Sequence, residues 1–120
     1  MKHISAADLT MNPAPEAHFT GQVWMERQAE GVLRVTFPPG ARTAWHTHPH
    51  GQTLIVLSGV GRVQKRGEAA LTMTAGDVVQ IDAGEEHWHG AAPDSLMQHL
   101  AINAGETVWL NKVTDGEYGG

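Results

Sequence analysis

Histidine is the residue type whose spacing says most about chemistry in this sequence. The relevant histidines are His46, His48 and His50, then His87 and His89, and finally His99. In a β-strand, side chains at i and i+2 point to the same face, so each His-X-His pair directs both imidazoles one way. Two such strands facing one interior bring neutral nitrogen ligands within reach of a single divalent ion such as Mn, Fe, Co, Ni, Cu or Zn. The spacing therefore predicts a shared metal site.

The alternative is that these are ordinary surface or core histidines held by hydrogen bonds. For any one histidine alone, that interpretation is favoured. For two pairs together it is disfavoured, because burying unpaired imidazoles costs about 1–3 kcal/mol each without a ligand or hydrogen bond. The sequence contains no cysteine, so any metal here must use imidazole and oxygen ligands.

Composition limits the classes of function. The 120 residues fit one domain, the formal net charge is −5, and the basic residues are scattered rather than clustered. We therefore expect no nucleic-acid partner. No apolar run approaches the ~20 residues of a membrane span, and the N-terminus lacks the apolar core of a secretion signal. We expect a cytoplasmic protein with no membrane partner.

Glycine and proline break the chain into short apolar or alternating runs from Phe19 onward, which predicts an all-β domain. The predicted strands are 21–28, 31–37, 42–48, 52–58, 61–64, 70–73, 78–81, 87–91, 97–103 and 107–110. Closure into an antiparallel barrel is expected, because an open sheet of this size would leave exposed edges. Residues 1–18, with Pro13 and Pro15, are interpreted as an N-terminal arm able to supply an edge strand.

Two motifs carry a family resemblance. Gly40-X5-His46-X-His48-X3-Gln52-X6-Gly59 resembles the first cupin motif, and Gly76-X5-Asp82-X-Gly84-X2-His87 resembles the second. Asp82 stands where proline is usual, and Ala91 where asparagine is usual. The resemblance implies a cupin-type β-barrel (a double-stranded β-helix or jelly roll) over residues 19–118. It also implies four metal ligands, namely His46, His48, Gln52 and His87.

Gln52 replaces the glutamate that ends the family's first ligand set. Three imidazoles and a neutral amide leave the full charge of a divalent ion uncompensated, so such a metal is a stronger Lewis acid than one bound by a carboxylate. It should attract anions and polarise a carbonyl or hydroxyl oxygen. The ligand set also departs from the two-histidine, one-carboxylate pattern of non-haem iron oxygenases.

Longer strings give a narrower resemblance. Residues 40–49, 51–56, 87–93 and 99–102 resemble the small bacterial cupin hydroxynitrile lyases, and the likeness extends from Phe19 to about Tyr118. That group binds manganese through three histidines and a glutamine and cleaves or forms cyanohydrins such as mandelonitrile. The resemblance implies one divalent metal per chain, Mn first and Fe, Ni, Co or Zn as alternatives, with a small-molecule substrate.

His89 shares a strand face with His87, about 6.6–6.8 Å away at Cα. We assign it as general base, because its ordinary pKa of about 6.5 suits proton transfer at neutral pH, although a supporting structural role stays open. The resemblance places His99 in the pocket, where it could bind cyanide or the departing anion. His50 lies beside Pro49 and Gly51 in a turn, which resets strand parity, so it is left out of the site.

Arg42 shares parity with His46 if the strand is regular through Ala44. An inward guanidinium could hold an anion or pair with Asp82 or Asp77, whereas a solvated surface position is the alternative. The resemblance also places three residues in the walls of the substrate pocket, which as strand residues are otherwise ordinary packing: Leu33, Val35 and Asn103.

Trp45 and Trp88 alternate outward from the histidine strands, where large rings usually pack against a second sheet or a partner subunit. We therefore expect a homodimer, and the resemblance allows a homotetramer. Three functions remain in competition. They are a metal-dependent lyase, a metal-dependent oxygenase of the quercetinase or thiol-dioxygenase kind, and a non-catalytic binding or sensing module.

Overall fold

The computed structural model describes residues 1–119, and most of its regular structure is antiparallel β-strand. The strands are β1 (Met11–Pro13), β2 (Phe19–Thr20), β3 (Trp24–Ala29), β4 (Val32–Phe37), β5 (Arg42–Thr43), β6 (His46–Thr47), β7 (Gln52–Lys65), β8 (Leu71–Thr74), β9 (Val78–Ile81), β10 (His87–Ala91), β11 (Met97–Ile102) and β12 (Val108–Trp109). A short helix, α1 (Asp115–Gly119), ends the described part. Within that part, no helix is both long and apolar enough to cross a membrane. The all-β prediction is confirmed.

The strands form two antiparallel sheets that share β7. One sheet has the order β1-β3-β4-β11-β7-β9 and uses the first half of β7. In the other sheet, the second half of β7 pairs with β8 on one side and β10 on the other. Beyond β10 lie β5 and β6, which pair in turn with β2 and β12. The sheets therefore curl around a common interior, as expected for the predicted barrel.

The long strand β7 corrects one prediction. The sequence predicted two strands with a turn at Ser58 and Gly59, whereas the structure has one strand that runs through both positions. Gly59 has a φ of +77°, and a Cβ built there would lie 1.7 Å from the carbonyl oxygen of Leu96. Glycine lets the strand pass close to its neighbour and change sheets without ending.

The predicted strand 42–48 is also wrong, because it is interrupted between β5 and β6. Ala44 N–H donates to the carbonyl oxygen of His18, and Trp45 N–H donates to that of Asn111. These two bonds to distant segments replace regular pairing at the break. Strand parity before the break therefore does not carry over to the residues after it.

The interior between the sheets is apolar at one end. Phe37, Leu54 and Met97 are fully buried there. The Phe37 ring lies 5.2 Å from the His99 ring and 6.1 Å from the His89 ring, measured between centroids. The packed core therefore ends directly against histidine side chains.

Trp45 and Trp88 point away from this interior, as predicted, but they pack against the C-terminal segment of the same chain and not against a second sheet. They form a small buried cluster with Val113 and Tyr118 from the C-terminal segment. The Tyr118 hydroxyl donates to the carbonyl oxygen of Ala91, which holds the segment against the back of β10. The two indoles are thus buried within one chain, and they no longer support the expectation of a dimer.

Candidate metal centre

Six buried polar side chains lie together in the interior, beyond the apolar end that contains Phe37, Leu54 and Met97. His46 lies on β6 and His87 on β10, and these two residues are direct partners in the strand pairing. The others come from the loop after β6, the start of β7, and strands β10 and β11: His48, Gln52, His89 and His99. The structure thus brings the four predicted ligands together and adds His89 and His99 to the same buried group.

The rings of the three predicted histidine ligands lie close together, tilted or edge-on to one another. Their ring centroids are separated by 4.2 Å for His46 and His87, 4.9 Å for His46 and His48, and 5.5 Å for His48 and His87. All three rings are almost fully shielded from solvent. Such crowding of polar rings is unfavourable unless their inward nitrogens share a ligand.

Each of these rings is held through its Nδ1 atom. Nδ1 of His46 donates to the carbonyl oxygen of Ala44, and Nδ1 of His87 donates to that of Glu85, both at 2.8 Å. Nδ1 of His48 lies 3.3 Å from the Thr107 hydroxyl. Because a carbonyl only accepts, Nδ1 of His46 and His87 carries the hydrogen, and Nε2 is left with a lone pair. This is how proteins orient metal-binding histidines.

Gln52 supplies an oxygen in the same place. Its Nε2 donates to Oδ1 of Asn103 at 3.0 Å, which turns its Oε1 to within 3.1 Å of Nε2 of His87. Both facing atoms carry lone pairs, and Nε2 of His48 is buried without a partner among the described residues. A divalent cation would remove both the repulsion between the facing lone pairs and the cost of the unpaired Nε2 of His48. The donor set therefore fits such an ion.

His89 and His99 form a second, deeper imidazole pair. Nε2 of His99 lies 2.9 Å from Nδ1 of His89, while Nε2 of His89 and Nδ1 of His99 have no partner within residues 1–119. The His89 backbone N–H donates to the Thr43 hydroxyl, which anchors the strand at this point. The potential ligand atoms of His46, His87 and His89 lie within 4.8 Å of one another, a grouping that strand parity alone did not single out.

Burial keeps these rings neutral. Loss of hydration lowers the pKa of His48 to about 4 and that of His99 to about 4. The same cause, followed by repulsion from neighbouring imidazoles, puts the pKa of His46 and of His89 well below the ordinary value. Neutral imidazoles are the form that binds a metal ion, so donors are available at neutral pH.

Arg42 lies outside this group, and the parity expectation for it is wrong. It pairs with Gly90 on β10, which places it on the outward face together with Trp88. Its guanidinium donates to the carbonyl oxygen of Val113 at 2.9 Å and to Asp115 at 2.8 Å, and it lies 4.5 Å from the centre of the Tyr118 ring. The break between β5 and β6 reverses its direction, so it fastens the C-terminal segment instead of meeting a substrate.

The predicted pocket residues divide into two kinds. Leu33 and Asn103 line a cavity of about 560 Å³ at the hairpin between β3 and β4, together with Arg27 and Glu30. The histidines do not line it, and Asn103 links it to the metal centre through its bond with Gln52. Val35 is instead buried opposite His99. His50 is exposed in its turn, as expected.

Sequence reasoning missed three residues that support the histidines. Thr43 and Thr107 hold His89 and His48 through their hydroxyls, and the Trp109 ring lies 4.9 Å from the His46 ring. On its other side, Trp109 stacks on His18 at 4.5 Å. No local pattern signals these roles, because each depends on pairing with a distant segment.

Comparisons with known proteins agree with this architecture. Residues 33–110 match the family model described as Cupin domain. The chain is 57% identical over 88 residues to a protein of Granulicella tundricola named (R)-mandelonitrile lyase, covering 70% of this chain and 67% of that one. The matched family and relative confirm the resemblance inferred from the motifs.

Solved structures extend the comparison. A cupin-like protein of Thermotoga maritima superposes with a TM-score of 0.85 at 43% identity, covering 88% of this chain and 89% of that one. A polyketide cyclase of Streptomyces resistomycificus superposes with a TM-score of 0.78 at 17% identity, covering 98% and 90% respectively. The second likeness, at so low an identity, shows the fold alone.

Proposed function

The chain belongs to the cupin domain family, and from that premise we propose that it is a metal-dependent lyase that cleaves or forms cyanohydrins, with mandelonitrile as model substrate. The observation that carries the proposal is Nε2 of His89, a buried acceptor with no partner in the described chain, next to a donor set that fits a metal. The expectation of an enzyme of the lyase kind is confirmed by the relationship to the mandelonitrile lyase.

The proposed ligands are His46, His48, Gln52 and His87, and the proposed ion is Mn, with Fe, Ni, Co or Zn as alternatives. Their support is the set of Nε2 lone pairs and the amide oxygen that converge in a buried site. When bound, a divalent ion supplies Lewis acidity that polarises a hydroxyl or carbonyl oxygen. The donors are all neutral, so they reduce that acidity less than a carboxylate ligand would.

His89 is the proposed general base. Its Nδ1 contact with His99 fixes the ring and leaves Nε2 as the acceptor for the cyanohydrin hydroxyl proton. As the proton moves to Nε2, the bond between the carbinol carbon and the nitrile carbon breaks, which yields the carbonyl compound and cyanide. The proton then passes from His89 to cyanide, and the ring returns to its neutral state. His99 is the proposed contact for the departing anion.

The substrate would enter from the side of Leu33 and Asn103, with Val35 packing behind His99. The 560 Å³ cavity at this side is of a size that holds a small aromatic molecule. Arg42 has no part in this proposal, because its guanidinium is engaged with Val113 and Asp115.

The test is cyanide release from racemic mandelonitrile by manganese-loaded protein, with and without oxygen. We expect release that is the same in both atmospheres and that disappears on metal removal and returns with manganese. No release from fully loaded protein would refute the lyase proposal. Turnover of mandelonitrile that requires oxygen would favour the oxygenase. Binding of mandelonitrile without turnover would favour the non-catalytic module.

The proposed assembly is a homodimer or homotetramer. Strand alternation puts several exposed apolar side chains on the outer face of the sheet that contains β1, β3 and β4, and such a face suits a partner subunit. They are Trp24, Leu57, Val78 and Ile102. Light scattering coupled to gel filtration tests the assembly. The cytoplasmic location stays a prediction, for which cell fractionation is the measurement.

A further inference from the structure

His46 and His87 each have two histidine neighbours at similar ring distances, His48 and His89. The ring of His46 lies 4.9 Å from that of His48 and 5.2 Å from that of His89. The ring of His87 lies 5.5 Å from His48 and 5.6 Å from His89. His48 and His89 are therefore placed alike with respect to the same two rings.

The donor atoms of His48 and His89 are also alike. In both residues, Nδ1 contacts a neighbouring polar group, the Thr107 hydroxyl for His48 and Nε2 of His99 for His89. In both, Nε2 is buried and has no hydrogen-bond partner in the described part of the chain. The ligand atoms of His46, His87 and His89 lie within 4.8 Å of one another, close enough to contract around one ion.

We propose that His46, His87 and His89 form an inner three-imidazole metal site that overlaps the site completed by His48 and Gln52. The two sites share His46 and His87, so they exclude one another and a chain holds one ion at a time. The outer set includes the amide oxygen of Gln52, which suits a hard ion such as Mn²⁺. The inner set is entirely nitrogen, and it suits ions that bind imidazole more tightly, such as Zn²⁺.

The inner site also has a consequence that rests on the proposed function. An ion held by His89 occupies the Nε2 atom that would accept the substrate proton. Zinc in the inner site would therefore block turnover even though a metal is bound. Its existence, however, is a matter of binding alone and does not depend on the reaction.

The test measures Zn²⁺ affinity by titration calorimetry, without substrate and with any affinity tag removed. The variants are His48→Ala, His89→Ala and the double variant, with His50→Ala in the exposed turn as matched control. We expect each single variant to bind one Zn²⁺ within about tenfold of the unchanged protein, and the double variant to lose at least about a hundredfold. Circular dichroism checks folding, and His48→Gln replaces His48→Ala if the latter unfolds.

X-ray absorption on zinc-loaded His48→Ala protein counts the imidazoles directly. Three imidazoles are expected, because His89 joins His46 and His87, whereas two would overturn the proposal. Loss of zinc by His48→Ala as complete as that of the double variant would also overturn it. So would two zinc ions bound to one unchanged chain, or retention of zinc by the double variant. None of these outcomes depends on cyanide release, so a failed lyase assay leaves the inner site standing.

Discussion

Nε2 of His99 lies 2.9 Å from Nδ1 of His89, and this contact joins two buried imidazoles across the interior, from strands β11 and β10 of different sheets. One hydrogen is shared between the two atoms, so the orientation of His89 depends on His99. The contact leaves Nε2 of His89 buried with no hydrogen-bond partner among the described residues. Proton transfer and metal binding at His89 therefore both rely on His99. Within residues 1–119, the His99 ring has no hydrogen-bond partner other than His89.

Removing the partner should disorder the proposed base without removing the metal. We expect His99→Leu to lower kcat for mandelonitrile cleavage by about 10–100-fold, because Nδ1 of His89 loses its contact. Manganese content, measured by elemental analysis, should stay at one per chain. Val35→Ala, which alters packing beside His99 but no hydrogen bond, is the control. An unchanged kcat in His99→Leu would contradict the assignment.

His89 and His48 should respond differently to truncation when manganese is the metal. His89→Ala is expected to abolish turnover and keep manganese, because the outer set with Gln52 stays intact. His48→Ala is expected to lose both manganese and turnover, since only His46, His87 and the amide oxygen of Gln52 remain of the outer set. Manganese content and cyanide release are measured on the same samples. Equal loss of manganese in the two variants would refute this division of roles.

Gln52→Glu tests the neutral donor. A carboxylate would cancel part of the charge of the ion, so we expect tighter manganese binding, by about tenfold or more, together with a lower kcat. Titration calorimetry and initial rates measure the two effects separately. Asn103→Ala is the matched control, because it removes the bond that orients Gln52 without adding charge. A kcat that rises in Gln52→Glu would contradict the Lewis-acid argument.

The metal-free protein should lose stability in acid. Burial lowers the pKa of His99 to about 4 in the folded state, against about 6.5 when unfolded. Between these values the unfolded chain binds the extra proton, so the contribution is present above pH 6.5 and is lost as the pH falls through 4. It amounts to about 3 kcal/mol. Urea unfolding across this range should show a smaller pH slope in His99→Leu than in the unchanged protein.

Gly59 tests the passage of β7 between the sheets. Gly59→Ala would place a Cβ 1.7 Å from the Leu96 carbonyl oxygen, and relief of this clash would require the backbone itself to shift. We expect the free energy of unfolding to fall by about 3 kcal/mol or more. Gly67→Ala is the control, because Gly67 also has a positive φ but no atom within 4 Å, so it should cost only about 1–2 kcal/mol of strain. Equal losses would show that the close approach is unimportant.

The sequence by itself determined the features that depend on neighbouring residues, namely strand bounds and the side chains that share a strand face. Strands β9 and β10 fall on the predicted bounds, 78–81 and 87–91, because alternation and flanking turn residues are readable within a few positions. The same local rule placed His87 and His89 on one face. Motif spacing then identified the four residues that the structure brings to one point.

Tertiary structure decided what depends on distant partners. Arg42 faces outward because Ala44 and Trp45 bond to the carbonyls of His18 and Asn111, and these bonds interrupt the strand. The contact of His89 with His99 depends on how β10 and β11, in different sheets, face each other across the interior. No pattern confined to a few neighbouring residues encodes such contacts, since they form only when segments far apart in the chain pack together.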